Sequence, residues 1–99
     1  MVEHKIGVML YFSGDDCGVC NALGPKIKEL FDEEFPLIDQ HFLNTKENIE
    51  LASQLSVFSV PTLIVYLGGK EFIREGRSMS IAMLGEKMSR IYDILTSTK

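Results

Sequence analysis

Asp15-Asp16-Cys17-Gly18-Val19-Cys20 holds the only two cysteines of the chain, with two residues between them. An apolar run, Ile6 to Phe12, leads into this stretch, and an amphipathic segment, Val19 to Glu34, leads out. A strand that delivers a Cys-x-x-Cys pair to the start of a helix suits thiol-disulfide exchange. The first backbone N–H groups of a helix are unpaired and its dipole is positive there, so a thiolate is stabilised. The second cysteine, one turn on, lies close enough to close a disulfide with the first. Cys17 is the candidate attacking sulfur and Cys20 the resolving one.

Composition narrows the setting. A chain of 99 residues, 45% of them apolar, is expected to form one globular domain over residues 1–99. It has no run of about 18 apolar residues, so no membrane partner is expected. A net charge of −4 gives nucleic-acid binding little electrostatic support. Met1-Val2-Glu3-His4-Lys5 lacks the charged start and small-residue cleavage site of a signal peptide, which points to a cytoplasmic location. Two cysteines in a reducing compartment argue for redox or metal chemistry over a structural staple.

The elements follow from periodicity. Lys5 to Phe12 is apolar on both alternating faces, as a central strand covered from both sides would be. Ser13-Gly14-Asp15-Asp16 reads as a turn with several helix-capping candidates. A helix follows over Cys17 to Glu34, with Val19, Leu23, Ile27, Leu30 and Phe31 on one side. Gly24-Pro25 interrupts it. The apolar stripe stays in phase across the proline, which favours a bend over two separate helices. Leu37 to Asn44 is a strand with Leu37, Asp39, His41 and Leu43 on one face. Asn44 and Glu47 resemble a capping box that opens a short helix over Thr45 to Leu55, with Ile49, Ala52 and Leu55 along one side. Ser56 to Ser59 is a loop, and Leu63 to Leu67 a buried strand. Gly68-Gly69 signals a hairpin into Glu71–Arg74. A last helix starts at Ser78 or Met79 and runs to Leu95, with Ile81, Leu84, Met88, Ile91 and Leu95 as its stripe. The order is β-α-β-α-β-β-α.

With Val60-Pro61-Thr62 in view, the chain resembles the thioredoxin family. Cys17-Gly18-Val19-Cys20 is similar to that family's Cys-Gly-x-Cys site. Pro25, five residues after Cys20, matches its helix-kinking proline. Val60-Pro61-Thr62, ahead of a strand and a Gly-Gly hairpin, matches its cis-proline loop, and Gly76 its glycine in the peptide groove. The resemblance implies an α/β thioredoxin fold, a four-stranded mixed sheet flanked by helices, shortened at the N-terminus toward a glutaredoxin-like core. It implies a dithiol that reduces protein disulfides, with Val60, Pro61, Thr62 and Gly76 at the substrate; Asp15, Asp16, Gly18 and Val19, beside and between the cysteines, are the candidates for tuning the sulfurs. It calls for no cofactor. The partners it implies are disulfide-containing proteins and an electron donor, either a reductase or glutathione, with a protein donor favoured because no glutathione-gripping groups are recognisable.

The departures are specific. Asp16 replaces the family's tryptophan before the first cysteine, and Val19 the proline between the cysteines. Tyr11 stands where a buried aspartate is expected, and Phe42 where its lysine partner would be. Cys20 thereby lacks the family's usual route for losing its proton. Asp15 and Asp16 oppose a thiolate on Cys17, which would favour the disulfide and a reducing protein. Alternatively both are solvated and screened, one of them merely capping the helix. Three other readings compete with the enzyme. The pair could be two buried structural thiols. It could bind a metal, for which the only spare ligands are His4 and His41, without ligand spacing. Or the domain could be a redox-sensing or protein-interaction module. Met9, Met83 and Met88 read as core filling. Phe58 is either an exposed substrate contact or packed beneath its loop. Lys26, Lys28, Lys46 and Lys70 read as solvated faces.

Overall fold

The computed structural model describes residues 5–96. His4 lies outside them. The elements are β1 (Gly7–Ser13), α1 (Gly18–Glu34), β2 (Ile38–Asn44), α2 (Ile49–Gln54), β3 (Thr62–Leu67), β4 (Lys70–Glu75) and α3 (Ile81–Thr96). They form a four-stranded sheet in the order β2-β1-β3-β4. β1 runs parallel to β2 and antiparallel to β3, and β3 pairs antiparallel with β4. The expected α/β order is the observed one.

β1 is interior to the sheet, which is why it is apolar on both faces. On one face Met9 and Tyr11 pack with Leu63, Val65 and Ile73 against Ile27 and Phe31 of α1 and Leu84 and Met88 of α3. On the other, Phe12 and Ile64 pack with Ala52 of α2 and with Val57. Side chains of this size contribute about 1.5–3 kcal/mol each when fully buried. Tyr92 ties α3 to the start of β2: its ring meets Phe35 edge-on at 5.1 Å, and its hydroxyl accepts from the Leu37 N–H at 3.1 Å.

α1 continues through Pro25 as one helix, as the unbroken apolar stripe requires. The hairpin forms as expected, with both glycines in the left-handed region, Gly68 at φ 60° and Gly69 at φ 81°. A two-residue turn of that kind matches the twist of its strands.

Three expectations need correction. α2 spans Ile49–Gln54, not Thr45–Leu55, and residues 45–48 are turns. The Asn44 side chain accepts from Lys46 N at 2.8 Å, so it caps a turn and not a helix. Ile49 faces outward, 66% exposed, while Ala52 is buried. The last helix begins at Ile81, because Met79 N closes a turn onto the Gly76 carbonyl and Ser80 Oγ accepts from Met83 N. Met9 and Met88 are core, but Met83 is 59% exposed.

Gly7 begins β1 where β3 crosses closest. A Cβ there would lie 2.5 Å from the Tyr66 carbonyl oxygen and 2.6 Å from Leu67 Cδ2. Backbone cannot yield as a side chain can, so Gly7→Ala is expected to cost about 1–3 kcal/mol. Urea unfolding should show a lower midpoint at unchanged slope; an unchanged midpoint would refute the close approach.

Candidate active site

The sulfurs sit where β1 hands over to α1. Ser13 ends the strand, Gly14 to Asp16 turn the chain, and Cys17 is the N-cap residue of the helix. Asp16 makes the turn at φ 55°, a region that aspartate tolerates better than most side chains. Neither aspartate caps α1. Cys17 Sγ does so itself, accepting from the Cys20 N–H at 3.1 Å. The first turn of α1 carries no acidic residue.

Cys17 and Cys20 are joined as a disulfide, with their Cα atoms 5.2 Å apart. Cys17 is partly exposed, whereas Cys20 is 2% exposed. An incoming group therefore reaches the first sulfur and not the second. The reading as two buried structural thiols fails on Cys17. Among the described residues no three His, Cys, Asp or Glu side chains gather as a metal ion would require. His41 is exposed and paired with Asp39 at 2.9 Å.

Behind the sulfurs lies Tyr11, 2% exposed, whose hydroxyl donates to the Cys20 carbonyl at 2.9 Å. Burial raises its pKa above the ordinary phenol value, so it is a neutral donor. Its register partner on β2 is Phe42, and the two rings meet edge-on at 5.7 Å. The pair of positions read from sequence as substituting for an aspartate and a lysine is thus a contact between two aromatic rings. Nothing in the residue types announced the hydrogen bond to Cys20. Its signal was positional: a tyrosine six residues before the first cysteine, on an interior strand.

The second loop approaches from the start of β3. Val60-Pro61 is a cis peptide bond. Thr62 pairs with Phe12 near the end of β1, which brings the loop beside the turn leading to Cys17. A Cβ on Gly14 would lie 3.2 Å from Val60 Cγ2, so glycine lets the two loops touch. Pro61 and Thr62 are buried, and the Thr62 hydroxyl donates to the Ser59 carbonyl at 2.7 Å. Thr62 thus braces the loop from beneath. Phe58 projects from it, 84% exposed, and so is not packed beneath the loop. Phe58, Thr62, Arg74 and Gly76 line a shallow groove of about 280 Å³. Gly18 and Gly76 each have open space where a Cβ would go, and Val19 is partly buried.

The two aspartates before Cys17 differ. Asp15 accepts from Lys46 Nζ and from Asn44 Nδ2, both at 3.1 Å, and those bonds hold its carboxyl below the ordinary value. Asp16 is exposed. Lys46 and Lys28 lie on solvated faces as expected and are each in a surface ion pair, Lys46 with Asp15 at 3.1 Å and Lys28 with Asp32 at 2.9 Å. Among the described residues no helix is long and apolar enough to cross a membrane.

Known proteins are similar to this chain in sequence and fold. The family profile described as Thioredoxin matches residues 1–89. The chain is 36% identical over 90 residues to the thioredoxin-like protein YdfQ of Bacillus subtilis (strain 168), covering 91% of this chain and 79% of that protein. The thioredoxin of Chlorobaculum thiosulfatiphilum is 36% identical over 70 residues, 71% of this chain and 65% of its own length. The structure of thioredoxin 1 from Thermosipho africanus TCF52B superposes with a TM-score of 0.81 at 33% identity, covering 89% of this chain and 97% of that one. With its cysteine pair at the mouth of α1 and its sheet order, this chain belongs to the thioredoxin family.

Proposed function

We propose that the protein is a thiol-disulfide oxidoreductase of a reducing, cytoplasmic setting that reduces protein disulfides through Cys17 and Cys20. The observation that carries this is the pairing of a reachable sulfur, Cys17, with a buried one, Cys20, bonded to each other at a helix N-terminus. In the dithiol form the Cys17 thiolate attacks a substrate disulfide. A mixed disulfide forms and one substrate sulfur leaves as a thiolate. Cys20 then attacks Cys17 Sγ, releasing the second substrate sulfur. Two electrons pass to the substrate, and the two protons of the protein dithiol end on its thiols. The disulfide form is the product of that cycle, and an external donor, a reductase or glutathione, returns it to the dithiol.

The Cys20 N–H aimed at Cys17 Sγ supports Cys17 as the attacking group, since that donor and the helix dipole both favour negative charge on the sulfur. The backbone of Val60 is the candidate docking edge for an extended substrate segment, in the manner of a strand added to a sheet. The groove beside it supports this, with Gly76 leaving room and Phe58 offering an apolar contact.

A second reading, a redox-sensing or interaction module, draws on Tyr11. A neutral phenol pinned to the Cys20 carbonyl takes the place of a carboxylate that would accept the Cys20 proton. Insulin reduction with dithiothreitol as donor separates the two. The enzyme reading expects turnover that vanishes in Cys17→Ser, with Cys20→Ser accumulating the mixed disulfide. Wild-type activity no greater than that of Cys17→Ser would establish the module.

Phe58→Ser tests the groove. Losing one partly buried apolar contact should lower kcat/KM for a protein disulfide about five-fold, with kcat nearly unchanged. A small soluble disulfide, too short to reach Phe58, should be reduced at the wild-type rate. Equal losses on both substrates would remove Phe58 from the docking surface.

A further inference from the structure

Lys46 stands on the turn after β2, remote in sequence from the cysteines, and it touches the loop that carries them. Its Nζ lies 3.1 Å from Asp15 Oδ2, while Asn44 Nδ2 donates to Asp15 Oδ1 at 3.1 Å. The two donors are fixed relative to each other, because Asn44 Oδ1 accepts from Lys46 N at 2.8 Å. Asn44 is itself held in register opposite Ser13, and the Thr45 N–H donates to the Ser13 carbonyl at 2.9 Å. Both oxygens of one carboxylate are thus bound by a braced turn.

The charges around Cys17 give this clamp a consequence. Asp15 and Asp16 precede the sulfur on its own loop, and unpaired anions there oppose a thiolate. The loop 56–62 carries no charged residue. On α1 the first charged residue is Lys26, more than two turns beyond Cys17. On β4, Arg74 is bound to Glu71 and to the Leu55 carbonyl, and Glu75 to Lys87. The turn after β2 contributes Glu47 and Lys46. Of all these groups, Lys46 is the cation in contact with the cysteine loop.

We propose that Lys46 is a positioning residue for Cys17: with Asn44 it keeps the Asp15 carboxylate paired and turned toward the β2–α2 turn, so that this anion does not oppose the thiolate. The inference rests on the redox reading of Cys17, but its test reads the thiol and not turnover.

The test is alkylation of Cys17 by iodoacetamide in the reduced protein, followed by peptide mass as a function of pH. In Lys46→Gln, Asp15 loses its partner. The rate at pH 7 and low salt should fall about two- to three-fold, with the pH midpoint moving upward, and molar salt should shrink the difference. Lys46→Arg keeps the clamp and should retain the wild-type rate. In an Asp15→Asn background, Lys46→Gln should have less than half its effect, since the anion it restrained is gone. An effect of equal size with and without Asp15 would overturn the proposal, because Lys46 would then act directly on the sulfur. So would an unchanged midpoint in Lys46→Gln. A protein that fails to reduce insulin but shows the Asp15-dependent shift would refute the oxidoreductase and leave the clamp standing. Insulin turnover with no shift would do the reverse.

Discussion

One hydrogen bond fixes where the chemistry can happen. The Tyr11 hydroxyl reaches from the interior strand to the carbonyl of Cys20, so the first turn of α1 is set on the end of β1 by a buried contact. A buried phenol without a partner would cost about 1–3 kcal/mol, so the bond is obligatory once the ring is inside. A Cβ on Gly24 would lie 3.6 Å from Tyr11 Cε2, so the ring also underlies the stretch leading to Pro25. Cys20 is thereby sealed against the sheet while Cys17, three residues earlier, stays at the rim. The difference in access between the two sulfurs follows from this seating.

The same contact changes the proton chemistry. A buried aspartate and lysine would have to be taken out of water, a cost that their attraction often only offsets. Tyr11 and Phe42 avoid that cost and gain an edge-on ring contact in its place. The site keeps a fixed backbone and gives up an internal base. In the exchange proposed above a base would nevertheless be generated: the first substrate thiolate to leave would be a proton acceptor released beside the mixed disulfide. The proposed cycle would then need no buried carboxylate, and its resolving step would depend on the basicity of the thiolate just released.

Elements governed by local pattern were legible in the sequence, and contacts between distant residues were not. The interior strand, the helix continuing past Pro25 and the Gly68-Gly69 turn each follow from a few neighbouring residues whose spacing admits few alternatives. The Cys17–Cys20 pairing was legible for the same reason, as a short motif, whereas the cis-proline loop at Pro61 was legible only through the resemblance to the thioredoxin family. The start of α2 was misread because Asn44 has two possible partners within a few residues. Its side-chain oxygen accepts from Lys46 N, and its side-chain NH2 donates to Asp15, a residue 29 positions away. The roles of Tyr11 and Lys46 share that difficulty. Each depends on the register of β1 against β2, which pairs Tyr11 with Phe42 and Ser13 with Asn44 and which no local pattern encodes.

The distribution of charge around the sulfurs bears on what the site can recognise. On the side of β2, Asp15 is paired with Lys46, and the His41 ring is hydrogen-bonded to Asp39. On the side of the Val60-Pro61 loop there is no charged residue from Ser56 to Thr62, and the most exposed large side chain is Phe58. The loop beside the turn to Cys17 is thus uncharged from Ser56 to Thr62, with one apolar projection at Phe58. Exposed ion pairs at the margin contribute little to affinity in salt, whereas an apolar side chain and backbone hydrogen bonds are insensitive to it. The proposed docking of an extended segment would draw on shape and apolar contact at Phe58, with Arg74 and Glu75 along the groove as the charged groups such a segment would meet.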